Sequence, residues 1–198
     1  MINFNNPSKE APYIVFQEKY KKALDADQKN IEAVSISSFN KKIDEVDSRF
    51  VNLKIINDEE FIFFSNYWSP KDSAFESHNQ IAATFFWASI NTQIRIKAKI
   101  KKTSKEFNQI YFSNRSKEKN ALAISSNQSR KIESFNMVQE NFKKSLMSDD
   151  LKKCPDYWGG YSFTPYYFEF WEGHESRVNK REVFDMVDGV WKQSFLQP

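Results

Sequence analysis

The apolar pattern of this chain predicts a mainly β fold with added helices (α+β), a closed or split antiparallel barrel with peripheral helices. Three observations lead there. Short alternating or Phe-rich runs recur along the chain. Helical patterns gather near the middle and do not alternate regularly with those runs, as they do in a doubly wound parallel sheet. Aromatic residues make up 16% of the 198 residues, with 19 Phe, 8 Tyr and 5 Trp, and such side chains suit strands and fill a large core. One domain spanning residues 1–198 is expected.

Tyr13, Phe16, Tyr20 and Leu24 recur at helical spacing, so Pro12–Leu24 is expected as a first helix. Asp25–Asn30 is a polar break. Ile31–Phe39 alternates apolar and small polar residues, as a half-buried strand does. Asn40–Asp47 reads as a charged turn, Arg49–Ile56 as a strand, Asn57-Asp58 as a turn and Glu60–Tyr67 as the next strand. Ser69 offers an N-cap, with Pro70 at the first helical position, for a short polar helix that holds His78. Gln80–Ala88 and Thr92–Lys102 read as long strands. The lysines of Lys97–Lys102 suit an exposed sheet edge, where charge discourages pairing with other chains. Ser104 caps a helix running to about Asn114, and a second follows from about Ser116 to Ser125. Arg130–Leu146 is the longest helical pattern. After the polar Ser148–Pro155, the last strands are Tyr161–Trp171, Glu182–Val187 and Val190–Leu196. Asp188-Gly189 is a hairpin signature between the final two.

Several chemistries are excluded. All four glycines, Gly159, Gly160, Gly173 and Gly189, fall in the last quarter. Neither the dinucleotide fingerprint nor the P-loop can be built after an early strand. Any phosphate-bearing cofactor must therefore be held by side chains. Cys154 is the single cysteine, so no disulfide within the chain and no Cys-based zinc site forms. The net charge is +3 and basic residues are interspersed with acids, which ranks nucleic acid last among partners. Met1–Glu10 lacks an apolar secretory core, and no apolar run approaches the roughly 20 residues that span a bilayer. A soluble, cytoplasmic protein is expected.

Arginine is used sparingly: Arg49, Arg95, Arg115, Arg130, Arg177 and Arg181. Such residues suit planar, bidentate recognition of anions. Five segments then stand in a telling order. They are Arg49-Phe50-Val51-Asn52-Leu53-Lys54; Phe64-Ser65-Asn66 with Ser69 and Lys71; Gln93-Ile94-Arg95; Gln128-Ser129; and a C-terminal run. That run holds Trp158-Gly159-Gly160-Tyr161, Glu169-Phe170-Trp171-Glu172-Gly173, Arg177 and Arg181. Taken singly, Lys54 and Lys71 read as solvated lysines, Tyr111 and Arg115 as a surface pair, and Trp158 and Trp171 as core. Together, in this order, the segments resemble the pyridoxine/pyridoxamine 5′-phosphate oxidase family, whose fold is an FMN-binding split barrel. The resemblance covers nearly the whole chain.

That resemblance implies a cofactor and its site. Arg49, Phe50, Val51, Lys54, Phe64, Ser65, Lys71, Gln93, Gln128, Ser129, Trp171 and Arg181 are expected to bind FMN. In the family the site lies between two subunits, which implies a homodimer. Lys54, Tyr111, Arg115 and Lys119 are expected to hold a substrate phosphate. Tyr111 and Arg115, four apart on an expected helix, share a face. Arg177 is expected against the substrate ring, with Asn179 beside it at the reacting centre. Four departures from the family pattern stand out. Pro70 replaces a basic residue, Lys119 a small hydroxyl residue, and Asn179 the histidine of an Arg-x-His-x-Arg ending. No arginine precedes Arg49.

The activity implied is FMN-dependent oxidation of pyridoxamine or pyridoxine 5′-phosphate to pyridoxal 5′-phosphate, with dioxygen as electron acceptor. Two other readings stay open. One is a related FMN-dependent oxidase acting on a different ring substrate. The other is a flavin or pyridoxal phosphate-binding protein without turnover.

Overall fold

The computed structural model describes residues 1–198. In chain order the elements are β1 (Asn3–Pro7), α1 (Ala11–Asp25), β2 (Ala33–Asn40), β3 (Glu45–Asp58), β4 (Glu60–Asn66), α2 (Pro70–Ser77), β5 (Gln80–Trp87) and β6 (Thr92–Lys102). They continue with α3 (Lys105–Ser113), α4 (Lys117–Ser125), α5 (Phe135–Ser148), β7 (Trp158–Glu172), β8 (Lys180–Val187) and β9 (Val190–Phe195). Strands β3, β2, β5, β6 and β7 neighbour one another in that order, and β4 pairs with both β7 and β3, so six strands close into a ring. Every pair in the ring is antiparallel. β8 and β9 extend the sheet beyond β7, and β1 lies parallel beside β3. The expected split barrel with peripheral helices is the fold observed.

Alternation decides which side chains face inward. On β6, Thr92, Ile94, Ile96, Ala98 and Ile100 are buried while Arg95, Lys97, Lys99 and Lys101 are exposed, as a period of two requires. The inward residues join one core rich in Phe, including Phe61, Phe63, Phe85, Phe163, Phe168 and Phe170. Helix α1 packs its apolar face on that core: Phe16 meets Phe61, Phe85 and Trp87, and Tyr13 meets Phe168 edge-on at 5.3 Å. The β8–β9 hairpin turns through Asp188 and Gly189, both at positive φ (52° and 79°), the type I′ geometry that favours glycine. No helix is long and apolar enough to cross a membrane.

Four expectations change, and one strand is added. Lys97–Lys102 is not an edge: β6 is flanked by β5 and β7, and its lysines simply occupy the solvent side. The polar N-terminus forms β1, because backbone pairing with Ile55, Ile56 and Asn57 needs no apolar pattern. Helix α5 starts at Phe135, where Ser134 Oγ accepts from the Met137 N–H, and at 14 residues it is shorter than the 15-residue α1. His78 lies just past the end of α2 in extended conformation. Ser69 stands at the N-cap of α2 but its hydroxyl makes no capping bond. Ser104 and Ser116 do cap, accepting from the N–H of Phe107 and Lys119.

Candidate functional site

A cavity of about 1030 Å³ opens between β3, β4, the start of α2 and the α3–α4 junction. The outward turn of β3 supplies Arg49, Phe50, Val51 and Lys54, and the end of β4 supplies Phe64 and Ser65. Lys71 comes from the first turn of α2, and Gln128 and Ser129 from the segment between α4 and α5. That segment is docked on β4: the Asn66 N–H donates to Gln128 Oε1 (3.3 Å) and Asn66 Nδ2 to the Ser126 carbonyl (3.2 Å). Tyr111, Arg115 and Lys119 line the same cavity. Twelve of the sequence-named residues, scattered over 81 positions from Arg49 to Ser129, thus meet in one place.

Lys71 is the most unusual of them. Its ammonium is buried and donates to Ser65 Oγ (2.8 Å), Ser69 Oγ (2.8 Å) and Gln128 Oε1 (3.3 Å), all neutral oxygens. The nearby carboxylates are engaged elsewhere, Asp47 with Arg49 and Asp72 with Lys102. Burial, reinforced by the Arg49 charge, pulls the Lys71 pKa from 10.5 down to about 8. A buried cation without a counter-charge is unfavourable on its own, which marks this wall as a place for an anion. Arg49 donates to Ser38 Oγ (2.8 Å) and the Ile36 carbonyl and is paired with Asp47. Its hydrogen bond holds the Asp47 carboxyl below the usual range.

The other wall is aromatic. The rings of Phe64 and Tyr111 stack 3.6 Å apart at 7°, and Trp158 lies nearly parallel to Phe64 at 5.2 Å. The Arg115 guanidinium sits over Trp158, and its Nη1 is buried without any hydrogen-bond partner. Burial lowers the Arg115 pKa. Helix α3 ends at Ser113, so Arg115 does not share its face with Tyr111 as a helical neighbour. Tyr111 reaches the cavity from the last turn of α3, and Arg115 from the chain turn after it. Lys54 lies 3.5 Å from Glu32. Lys119 forms no ion pair; its carbonyl accepts from Arg115 Nη2 at 3.4 Å.

Five named residues stand apart from this cavity. Gln93, Trp171 and Arg181 are direct register partners across β6, β7 and β8 and form one row. Arg181 pairs with the buried Glu169 (2.8 Å), which also pairs with Arg95 (2.8 Å). Arg177 has a positive φ of 64° in the β7–β8 loop, and Asn179 Oδ1 accepts from the His174 N–H at 3.0 Å. The sequence reading missed Glu32, Asp47 and Asn114, which also line the cavity. Asp47 was findable: two residues before Arg49 on one strand, it must share its face. Glu32 reaches Lys54 only through β2–β3 pairing and left no local trace.

The fold and site together define a sheet-ring protein with an aromatic-walled, cation-lined cavity. The family model for the pyridoxine 5′-phosphate oxidase C-terminal dimerisation region matches residues 158–198. Pyridoxine/pyridoxamine 5′-phosphate oxidase 1 of Hydrogenovibrio crunogenus is 32% identical over 191 residues, 94% of this chain and 88% of that protein. The Actinobacillus pleuropneumoniae serotype 5b enzyme named pyridoxine/pyridoxamine 5′-phosphate oxidase is 36% identical over 152 residues, 76% of this chain and 73% of its own. Among solved structures, PhzG from Burkholderia lata 383 in complex with tetrahydrophenazine-1-carboxylic acid superposes with a TM-score of 0.90 at 20% identity, over 96% of this chain and 93% of that one. A pyridoxamine 5′-phosphate oxidase-related, FMN-binding protein from Nostoc punctiforme gives 0.74 at 9% identity, over 92% and 97%. At such identities the two structures show the shared fold. The chain belongs to the pyridoxine/pyridoxamine 5′-phosphate oxidase family.

Proposed function

We propose that the protein, acting as one unit over residues 1–198, is an FMN-dependent oxidase that converts pyridoxamine or pyridoxine 5′-phosphate to pyridoxal 5′-phosphate. The carrying observation is that one cavity holds two cations without counter-charges, Lys71 and Arg115, together with the stacked Phe64 and Tyr111. Two phosphate monoesters, one on a flavin and one on a pyridine ring, match that pair of cations. The relatives named as oxidases support the same reaction class.

The residues present fit FMN. Lys71 and Arg49 supply charge for its phosphate, and Ser65, Gln128 and Ser129 supply neutral polar groups. Bound FMN supplies the two-electron redox chemistry, with dioxygen as final acceptor. The protein's part is placement. Arg115, Lys119, Lys54 and Tyr111 hold the substrate phosphate, and Arg177, with Asn179 shaping its loop, orients the ring.

The site is completed in this reading by a second copy of the chain. Gln93, Trp171 and Arg181 line up on the sheet but lie outside their own chain's cavity. Phe50, beside Arg49, is 76% exposed, an apolar surface that suits burial against a partner. The match of residues 158–198 to a dimerisation region supports the homodimer. Cys154, the lone thiol, suits a reducing compartment, and we assign the activity to the cytoplasm.

Lys119 and Asn179 favour a second reading, a sister oxidase with another ring substrate. The experiment is anaerobic: pyridoxamine 5′-phosphate is added to the FMN-reconstituted protein and the visible spectrum followed. Bleaching of the oxidised-flavin band that reverses in air supports the first reading. A flavin that stays oxidised rejects it in favour of another substrate or of binding without turnover.

A further inference from the structure

Ser69 has the backbone of an N-cap (φ −79°, ψ 157°) and precedes Pro70 at the first helical position, yet it caps nothing. A serine there ordinarily accepts from an N–H of the first helical turn. Ser69 instead donates its only hydroxyl hydrogen to the Asn66 carbonyl (2.8 Å). That fixes the direction of its lone pairs, and one of them accepts from Lys71 Nζ at 2.8 Å. Ser69 is 3% exposed and Lys71 7% exposed, so neither contact is a surface accident. Of the three acceptors around the ammonium, the two serine hydroxyls are close. Gln128 Oε1 is farther, at 3.3 Å, and is shared with the Ser65 hydroxyl and the Asn66 N–H.

We propose that Ser69 is a positioning residue that holds the Lys71 ammonium at the cavity wall for a phosphate monoester, with Gln128 the partner that the phosphate replaces. The inference rests on the reading of the cavity as an FMN site. Ser69 acts through Lys71 and touches no ligand itself. Removing its hydroxyl frees the lysine side chain to swing away, and the loss falls on the phosphate alone.

The test compares FMN with riboflavin, which lacks the phosphate. Dissociation constants for both are measured by flavin fluorescence quenching on the full chain, for wild type, Ser69→Ala and Ser69→Thr, with melting temperatures alongside. Ser69→Ala is expected to weaken FMN on the order of tenfold, as loss of one hydrogen bond to a charged group does, and to leave riboflavin unchanged. Ser69→Thr, which keeps the hydroxyl, restores FMN affinity. Unchanged FMN affinity in Ser69→Ala, or equal weakening of both flavins with a lowered melting temperature, overturns the proposal and leaves the cofactor reading standing. Wild type that binds riboflavin as tightly as FMN overturns the cofactor reading and this inference with it, before any variant is made.

Discussion

The Arg115 guanidinium lies 4.3 Å above the centroid of the Trp158 ring. The indole face seats the cation, and Nη1 is left buried without a partner. A planar fork fixed this way suits a phosphate, and a lysine cannot reproduce it.

Arg115→Lys is therefore expected to raise KM for pyridoxamine 5′-phosphate by roughly 10- to 100-fold, the worth of one or two charge-assisted bonds. Steady-state kinetics with pyridoxamine as the unphosphorylated control checks it. A similar rise for both substrates would show that Arg115 does not read the phosphate.

Lys71 sets a pH dependence. Its folded pKa is depressed to about 8 from 10.5 by burial first and the Arg49 charge second. Below about pH 8 the lysine is charged in folded and unfolded states alike, and folding carries the whole burial penalty. Between about 8 and 10.5 the unfolded chain binds more protons, so this group makes the flavin-free protein more stable as pH rises. FMN affinity runs the other way, falling as pH rises through about 8 because the phosphate loses its cation. Riboflavin affinity stays flat. Fluorescence titrations across pH 7–10 read both, and Lys71→Met should abolish the FMN slope. An FMN slope that survives Lys71→Met would assign the effect to another group.

Gly159 sits where no side chain fits. A Cβ there would lie 2.1 Å from the Tyr67 hydroxyl and 2.3 Å from Asn108 Nδ2. Those atoms belong to a network in which Asn108 Nδ2 donates to the Tyr67 oxygen and the Tyr67 hydroxyl donates to the Gly160 carbonyl. Gly159→Ala should cost about 1–3 kcal/mol, the usual penalty for overpacking. At about 2–4 °C per kcal/mol for a chain of this size, calorimetry would see the loss. An unchanged melting temperature would mean that the network moves aside without cost.

Asn179 ties the β7–β8 loop by accepting from the His174 N–H, and Arg177 adopts its left-handed conformation within that loop. Asn179→Ala should raise KM by several-fold, since it loses a hydrogen bond of about 0.5–1.5 kcal/mol. Asn179→Asp, which keeps the acceptor oxygen, should rescue most of the effect. Both variants should keep the wild-type pH profile of kcat, as a group that only positions Arg177 exchanges no proton. A shifted profile would return Asn179 to the reacting centre.

Much of this arrangement was legible beforehand where the cause is local. Ser104 and the Asp188-Gly189 turn act within a few residues, so the cap and the hairpin could be read from spacing, as could the helix start near Ser116. Ser69 misled because the same residue type serves either a helix end or a neighbouring ammonium, and only the buried position of Lys71 selects between them. Arg115 reached the expected cavity by an unexpected route, a chain turn rather than a helix face. Gln93, Trp171 and Arg181 were named together with the cavity residues, yet in one chain they form a separate row.

By itself the sequence determined the alternation that makes β2, β5 and β6 two-faced, the starts of α2 and α3, and the ordered set of polar residues that identifies the family. Those follow from backbone period and short-range hydrogen bonding, which neighbouring residues settle among themselves. Only the tertiary structure decided that β4 closes the ring between β3 and β7, that lysine-rich β6 is central, and that β1 pairs in parallel. Strand partners are chosen by long-range burial, in which a lysine facing solvent looks the same on a central strand as on an edge. The depressed pKa of Lys71 was likewise invisible in the sequence, because desolvation depends on what the rest of the chain packs around it.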